Sequence, residues 1–328
     1  MEKIKISVII PVYNAADFVK QAVESALSQP ETAEVVLVED GSPDESLAAC
    51  EELAAIYPKV HLYRHLNGKN LGAGATRNLA ISKSTQDYLA FLDADDFFLP
   101  NRFTTARELF GTNPDLDGVY EAVGMYIQDD RGAERWDRAG RPRNQLVTLQ
   151  KKVPPEELFE TLIQGRFGYL LLDGLVIKRA AIGKSGWFDE RLPLHQDTLF
   201  IEKLAAVARL LPGRLDEPVS MWRIHDHNRI SAPRSHWQIY DMRMRLWYSL
   251  WCWCRETQDE ARQQIVLKYF IARAMYLSRF NRLFPKGMYG LQKRLQLLML
   301  PLDYPVVLRE KVFWKAFVPD LGFWIKHH

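Results

Sequence analysis

Three features of the sequence predict an α/β fold with a mostly parallel sheet flanked by helices and a C-terminal helical extension. Short β-branched or apolar runs alternate with helix-periodic segments through the first hundred residues, the signature of βαβ units. The early runs stop at polar loops, and open α/β sheets gather their ligands at the carboxyl ends of strands. From Ser235 onward glycine is scarce before Gly287, and long helix-forming stretches take over.

The elements follow in order. Residues 5–11 form a continuous β-branched run, as in a strand buried on both faces. A turn at Val12, Tyr13 and Asn14 leads to a helix over 17–28, with Phe18, Ala22, Val23, Ala26 and Leu27 on one side. Residues 34–38 are a second strand ending at Glu39, Asp40, Gly41 and Ser42; Ser42 or Asp44 is expected to cap the next helix. A short strand at 60–63, a Gly/Asn loop at 67–74 and a helix at 75–82 precede the strand that begins at Tyr88. Beyond Pro100 the pattern predicts a helix at 101–110, one strand at 118–127, and an exposed hairpin or mobile loop at 128–144. It then predicts a helix at 154–163, an apolar strand at 170–177 broken by Asp173 and Gly174, a helix at 198–208 and a strand at 219–224.

Composition bounds the function. A chain of 328 residues has room for two or three structural units, and 47% hydrophobic with 26% charged residues is ordinary for a soluble globular protein. A net charge of +2 argues against a general nucleic-acid binder. The charge is uneven: residues 235–328 hold 15 Lys/Arg against 7 Asp/Glu, and six of the nine tryptophans. That aromatic and basic extension reads as a packed appendage, a homo-oligomer interface or a peripheral membrane contact. Cys50, Cys252 and Cys254 make no disulfide framework and read as reduced packing residues. The chain opens directly into a strand and no apolar run is long enough to span a bilayer, so a cytoplasmic location is expected, peripheral on the inner face of the plasma membrane if the extension binds lipid.

The chemistry centres on residues 88–100. The apolar run from Tyr88 to Leu92 ends at Asp93, Asp95 and Asp96. Clustered carboxylates at a strand end repel one another and lose solvation. A divalent cation such as Mg²⁺ or Mn²⁺ is the simplest compensation, because hard cations take oxygen ligands. The bland alternative is a solvated acidic turn with Asp96 capping the following helix.

Five ordered motifs carry a resemblance that covers roughly residues 4–231: Ser7–Asn14, Val38–Ser42, Asn70-x-Gly72 with Arg77-Asn78, Asp93-Ala94-Asp95-Asp96, and Gly186–Glu190 before Gln196-Asp197. The chain resembles the family 2 inverting glycosyltransferases of bacterial surface-glycan synthesis. The resemblance implies a GT-A fold, with a nucleotide-sugar-binding half over 1–105, an acceptor-binding half with the catalytic base over 106–233, and residues 234–328 outside it. It implies a UDP-sugar donor, a divalent cation, and a glycan or lipid-linked glycan acceptor. Pro11, Tyr13 and Asn14 match the turn lining base and ribose, and Asp40 matches the acid that reads the uracil. Arg77 matches a basic residue near the nucleotide; Lys69 is a weaker phosphate candidate. Asp95 matches the metal ligand, Asp93 a ribose or metal contact, and His225 a loop histidine that helps bind metal, with His227 two residues on. Asp197 matches the general base, preceded by Gln196 where the family usually has an acid. Trp187 and Asp189, with Gln196, are acceptor-site candidates.

Two rivals remain in the sequence. A sugar nucleotidyltransferase would carry a Gly-rich basic loop after its first strand, where this chain has Pro11-Val12-Tyr13-Asn14. A catalytically silent nucleotide-sugar or glycan-binding module would have no need to keep Asp95 and Asp197 together.

Overall fold

A computed structural model of the chain describes residues 4–138, 145–226, 228, 234–276, 299–310 and 313–314. The Cα positions divide it into two compact units, Met1–Ala232 and Pro233–His328.

The first unit follows the alternation in the sequence. Strand β1 (Ile6–Val12) leads through α1 (Val19–Leu27) to β2 (Thr32–Glu39), then α2 (Ser46–Ile56), β3 (Val60–Arg64), α3 (Ala73–Lys83) and β4 (Tyr88–Phe91). After β5 (Phe97–Phe98) and α4 (Thr104–Thr112) come β6 (Gly118–Tyr120), β7 (Ala122–Ile127), α5 (Asp130–Arg138), α6 (Pro155–Gln164), β8 (Leu175–Lys178), α7 (Ala180–Ser185), α8 (Gln196–Val207), β9 (Leu210–Pro212) and β10 (Pro218–Ile224). The main sheet has the order β3-β2-β1-β4-β8-β6-β9, and a second sheet the order β5-β10-β7. β1 pairs in parallel with β2 and β4, and β2 with β3. Its β-branched run lies fully buried at the centre, with Ile6, Val8, Ile9 and Ile10 at zero exposure, because helices cover both faces.

Several expectations are corrected. The apolar run at 118–127 is not one strand: β6 joins the main sheet and β7 the second. The chain changes sheets at Glu121, whose N–H donates to the Gly174 carbonyl (2.9 Å) and whose carboxylate is fully buried. The segment expected as a hairpin or loop contains helix α5, with Ala133 and Trp136 buried and Trp136 edge-on to Trp222 at 5.1 Å. The expected strand at 170–177 is a 3-10 turn, Leu172–Gly174, followed by β8, which runs antiparallel to β4 and β6. Glu45, not Ser42 or Asp44, occupies the cap position of α2, although Asp44 Oδ1 still accepts the Ser46 N–H at 3.2 Å. The fourth helix starts at Thr104, and Asp96 does not cap it.

A buried ion pair braces the change of sheet. Arg102 Nη1 donates to Glu121 Oε2 at 2.9 Å with both side chains fully buried. Its Nε and Nη2 donate to the Asp173 carbonyl (3.1 and 2.9 Å), and its guanidinium lies 5.2 and 5.1 Å from the rings of Phe98 and Phe103.

The second unit holds α9 (His236–Glu256) and α10 (Glu260–Tyr276). A capping box of Ser235 and Gln238 starts α9. Trp247 stacks on Tyr269 at 6.1 Å, while Leu250, Trp251, Leu267, Phe270 and Ile271 are wholly buried. Much of the aromatic content thus serves as core, while Trp237 stands 48% exposed. The three cysteines are free, and among the described residues no helix is long and apolar enough to cross a membrane.

Arg102→Met leaves buried Glu121 without its direct ion-pair partner, with only Arg214 near among the described residues, its Nε 3.8 Å and its backbone N 3.2 Å from Oε1. It is expected to cost about 3–5 kcal/mol in chemical denaturation, with the Arg102→Met/Glu121→Met pair regaining part of that loss.

Candidate functional site

Three loops at the carboxyl ends of β1, β2 and β3 are tied into one platform. After β1, the Asn14 N–H donates to Ser42 Oγ (3.1 Å), Ala15 N–H to Ser46 Oγ (2.8 Å) and Ala16 N–H to Asp44 Oδ2 (3.1 Å). After β2, Asp40 is buried, its Oδ1 accepting from Leu71 N–H at 2.7 Å and its Oδ2 from Gly72 N–H at 2.9 Å. Asp40 therefore fixes the Asn70 loop at the start of α3. Gly41, with φ +68°, permits the approach, since a Cβ there would stand 2.6 Å from the Gly68 carbonyl oxygen. Pro11 is half-buried, Tyr13 is 44% exposed, and Lys69 lies on the surface of this platform.

The acids after β4 do not share one environment. Asp93, half-exposed, accepts from Arg77 Nη2 at 2.5 Å. Asp95 Oδ2 lies 3.1 Å from His225 Nε2 and 3.4 Å from Asn228 Nδ2. Asp96 is buried and accepts the Arg223 N–H on Oδ1 at 2.7 Å. Oxygens from all three acids lie within 4.8 Å of one another. This is the hard, anionic donor set that suits Mg²⁺ or Mn²⁺, with Asp95 and Asp93 the more accessible members.

A fourth acid completes the group. Asp173, in the 3-10 turn before β8, is buried, accepts the Asp93 N–H at 3.1 Å and shares a hydrogen bond with Asp96. Burial, together with the Asp93 and Asp95 carboxylates, pushes its carboxyl up to about 7. Burial and the carboxylates of Asp173 and Asp95 also hold Asp96 well above the usual range. Burial of the hydrogen-bonded pair thus favours a proton on it over two bare charges.

Arg77 is 4% exposed. Burial works against its charge, and the carboxylates of Asp93, Asp197 and Asp173 outweigh that effect. Its Nε and Nη1 have no hydrogen-bond partner. The fork expected near the nucleotide is thus already anchored to Asp93, with two donors to spare.

Arg223 and Asn228 join the acidic turn to the histidine loop. Arg223 Nε donates to the Asp95 carbonyl at 2.6 Å, Nη2 to Gln21 Oε1 at 2.5 Å and Nη1 to Gln128 Oε1. Its guanidinium packs over Phe18, Phe97 and Tyr126 at 5.1–5.4 Å. Asn228 Nδ2 donates to the Arg223 carbonyl (3.0 Å), while its Oδ1 accepts the His225 N–H (2.6 Å). The His225 ring, 4% exposed, tilts against Phe18 at 4.7 Å. His227 lies outside the described residues.

Asp197 stands in the first turn of α8, not before it. It is half-buried, and its Oδ1 accepts the Thr198 N–H at 2.8 Å. Gln196 beside it is buried with Oε1 unpartnered, and Glu202 is buried with Oε2 unpartnered. Burial, with the nearby Asp197 carboxylate, pushes Glu202 up to about 8. A Cβ at Gly74 would lie 3.3 Å from the Asp189 carbonyl and 3.5 Å from Gln196 Cγ, so the start of α3 packs against both. Asp189 itself is occupied by Arg191, 2.7 Å away, and Trp187 stands 48% exposed.

A family model for glycosyl transferase family 2 matches residues 7–161. The chain is 40% identical over 235 residues to YibD of Escherichia coli, described as an uncharacterized glycosyltransferase, covering 71% of this chain and 64% of that protein. It is 31% identical over 208 residues to the succinoglycan biosynthesis protein ExoU of Rhizobium meliloti, covering 62% and 58%. Over residues 7–161 the chain is similar to glycosyl transferase family 2. The aligned stretches span less than two thirds of either relative. In three dimensions the chain resembles the first 349 residues of S. aureus TarS, solved in complex with UDP-GlcNAc, with a TM-score of 0.63, 18% identity, and 96% and 91% of the two chains covered. That likeness shows the GT-A fold.

The motif residues Asp93, Asp95, Arg77 and His225 are brought together, with Asp197 close enough to act on the charge of Arg77. Asp173, Arg223 and Asn228 were missed as site residues. The break of an apolar run by Asp173 was the available signal, as was the spacing of Arg223, His225 and Asn228 in one polar loop.

Two outcomes follow. Asp173 holds a proton in the folded protein that the unfolded chain loses near 3.8. In metal-free buffer this contribution is complete below that pH and is lost as pH rises through about 7. Denaturation midpoints measured across that range should flatten in Asp173→Asn. Arg223→Met should loosen the Asp95 turn from the His225 loop and weaken Mn²⁺ binding, followed by calorimetry, by about tenfold or more, with Arg223→Lys intermediate.

Proposed function

We propose that the chain is a metal-assisted, inverting glycosyltransferase. It moves a sugar from a UDP-sugar donor to a glycan or lipid-linked glycan acceptor in bacterial surface polysaccharide synthesis. The observation that carries the reading is the convergence of Asp93, Asp95 and His225 near buried Arg77, whose charge also feels the carboxylate of Asp197 at a helix start. The biosynthetic relatives point the same way. ExoU is described as a succinoglycan biosynthesis protein and GgaA of Bacillus subtilis as a minor teichoic acid biosynthesis protein, while TarS has been solved with UDP and with UDP-GlcNAc.

Each residue then has a task. The platform of Pro11, Tyr13, Asn14 and Asp40 receives the uridine, with Asp40 accepting from the uracil on lone pairs that Leu71 and Gly72 leave free. Asp95 and His225, with Asp93, would hold Mn²⁺ or Mg²⁺, which supplies Lewis-acid neutralisation of the diphosphate. Arg77 orients Asp93 and directs its two remaining donors at the donor sugar or diphosphate. Asp197 takes the proton of the acceptor hydroxyl, through the Oδ2 that Thr198 leaves open. The acceptor oxygen bonds to C1 as the bond from C1 to the diphosphate oxygen breaks, and UDP departs with that electron pair from the opposite face.

We assign residues 1–105 to the donor half and 106–233 to the acceptor half. Residues 234–328 are assigned to a lipid surface or a second copy, a reading supported by exposed Trp237 and Leu302 together with the basic surplus.

Asp197→Asn should lower transfer by about 10²- to 10⁴-fold while UDP binding in Mn²⁺ stays intact. Asp95→Ala should abolish the gain in UDP affinity that Mn²⁺ gives in calorimetry. Near-normal transfer by the Asp197 variant would place the base elsewhere.

A further inference from the structure

We propose that the cleft between α3 and the Trp187 turn is a carbohydrate subsite that holds acceptor sugars remote from the reacting hydroxyl. The inference rests on the glycan-acceptor reading above.

The cleft has a volume of about 560 Å³ and is lined by Leu71, Ala75 and Leu79, by His65, Ser82 and Glu190, and by Asn78, Trp187 and Phe188. That is the scale of a small-ligand site. None of Asp93, Asp95, Asp197 or His225 lines it. Helical periodicity explains the separation: Ala75, Asn78, Leu79 and Ser82 share one face of α3, while Arg77 lies on the opposite face, paired with Asp93.

Trp187 is the informative residue. Its neighbour Phe188 is buried and stacked on Phe200 at 4.0 Å, yet the Trp187 indole is 48% exposed. The backbone that displays it is fixed. Asn78 Oδ1 accepts the Phe188 N–H (3.0 Å), and Asn78 Nδ2 donates to the Phe188 carbonyl (3.0 Å) and to Glu190 Oε1 (2.8 Å). Lys203 Nζ donates to the Trp187 carbonyl at 2.7 Å. A large aromatic held open to water on an immobilised turn is a preorganised binding platform.

The lining selects the ligand class. Among the described residues no lysine or arginine lines the cleft, so a diphosphate finds no fork there to neutralise it. An acyl chain would meet a polar rim of imidazole, hydroxyl and carboxylate, which it cannot satisfy. A pyranose matches both parts. Its C–H face stacks on the indole and covers Leu71, Ala75 and Leu79, while its hydroxyls bond to Glu190, Ser82 and His65. The cleft also connects to the chemistry, because the start of α3 packs against both the Asp189 backbone and Gln196, the neighbour of Asp197.

The test uses the full chain, its Trp187→Ala, Trp187→Phe and Ser82→Trp variants, and melting temperatures to confirm folding. Retention is measured on a printed panel of bacterial surface polysaccharides, and UDP affinity in Mn²⁺ by calorimetry. The unaltered chain should be retained on at least one glycan. Trp187→Ala should weaken that retention about tenfold and Trp187→Phe less than about threefold, Ser82→Trp should abolish it, and UDP affinity should not move. Retention by Trp187→Ala and Ser82→Trp equal to that of the unaltered chain overturns the subsite, as does no retention by a chain that binds UDP. Loss of UDP affinity in Ser82→Trp makes the cleft a nucleotide pocket, and Trp187-dependent binding to glycan-free phospholipid vesicles makes it a lipid cleft; both overturn the proposal. If UDP fails to bind while glycan retention depends on Trp187, the donor reading falls and the subsite stands.

Discussion

Four carboxyl groups, from Asp93, Asp95, Asp96 and Asp173, converge where β4 ends and β8 begins. Left alone, so much like charge in a half-buried space would push the strands apart. The surrounding structure offsets it in three ways. Arg77 places a buried cation against Asp93. Burial favours a proton on the hydrogen-bonded pair of Asp96 and Asp173. Arg102 and Arg223 attach to the backbone, at the Asp173 and Asp95 carbonyls, and so hold the turns in place without neutralising Asp95. The result is a graded cluster, with the carboxyls of the inner pair raised by burial and the outer acids open to a cation.

The same arginines explain how two sheets serve one site. Arg102 bonds Glu121 at the point where the chain leaves the main sheet, and also the turn carrying Asp173. Arg223 sits on β10 of the second sheet and reaches the Asp95 turn between β4 and β5. Because β10 continues into His225, the arginine that fixes Asp95 also sets where the imidazole stands, and Asn228 closes that loop on itself. The geometry of the site thus depends on cations that face inward and do not touch a ligand.

The parts of this arrangement that sequence could reveal are those written locally. The βαβ half was legible because burial on both faces leaves continuous β-branched runs, and the acidic turn because no other strand ends in such charge. The corrected elements share a different cause. The run from Gly118 to Ile127 is uniformly apolar apart from Glu121, and its division between sheets depends on Arg102, nineteen residues earlier. Helix α5 has few apolar residues to mark a period, and it is recognised only by Trp136 meeting Trp222. Asp173 looked like a strand-breaking acid because its partners, Asp93 and Asp96, lie about eighty residues away in sequence. Periodicity reads neighbours along the chain; it does not read which distant carboxylates will share a proton.

The polar atoms left unsatisfied give a last argument about where substrate belongs. Buried polar groups in folded proteins are nearly always paired, so exceptions that gather at one place call for a ligand. Thr32 and Thr148 are scattered, but Arg77 Nε and Nη1, Gln196 Oε1 and Glu202 Oε2 are not. Arg77 and Glu202 both feel the charge of Asp197, and Gln196 is its neighbour on α8. Donors from Arg77 and polar atoms of α8 therefore gather around the half-buried carboxylate of Asp197. A sugar ring offers both hydroxyl donors and hydroxyl acceptors, and the space beside Asp197 is where its bonds would be used. Burial and the nearby Asp197 carboxylate raise the Glu202 carboxyl to about 8, so a second ionised acid beside Asp197 is disfavoured.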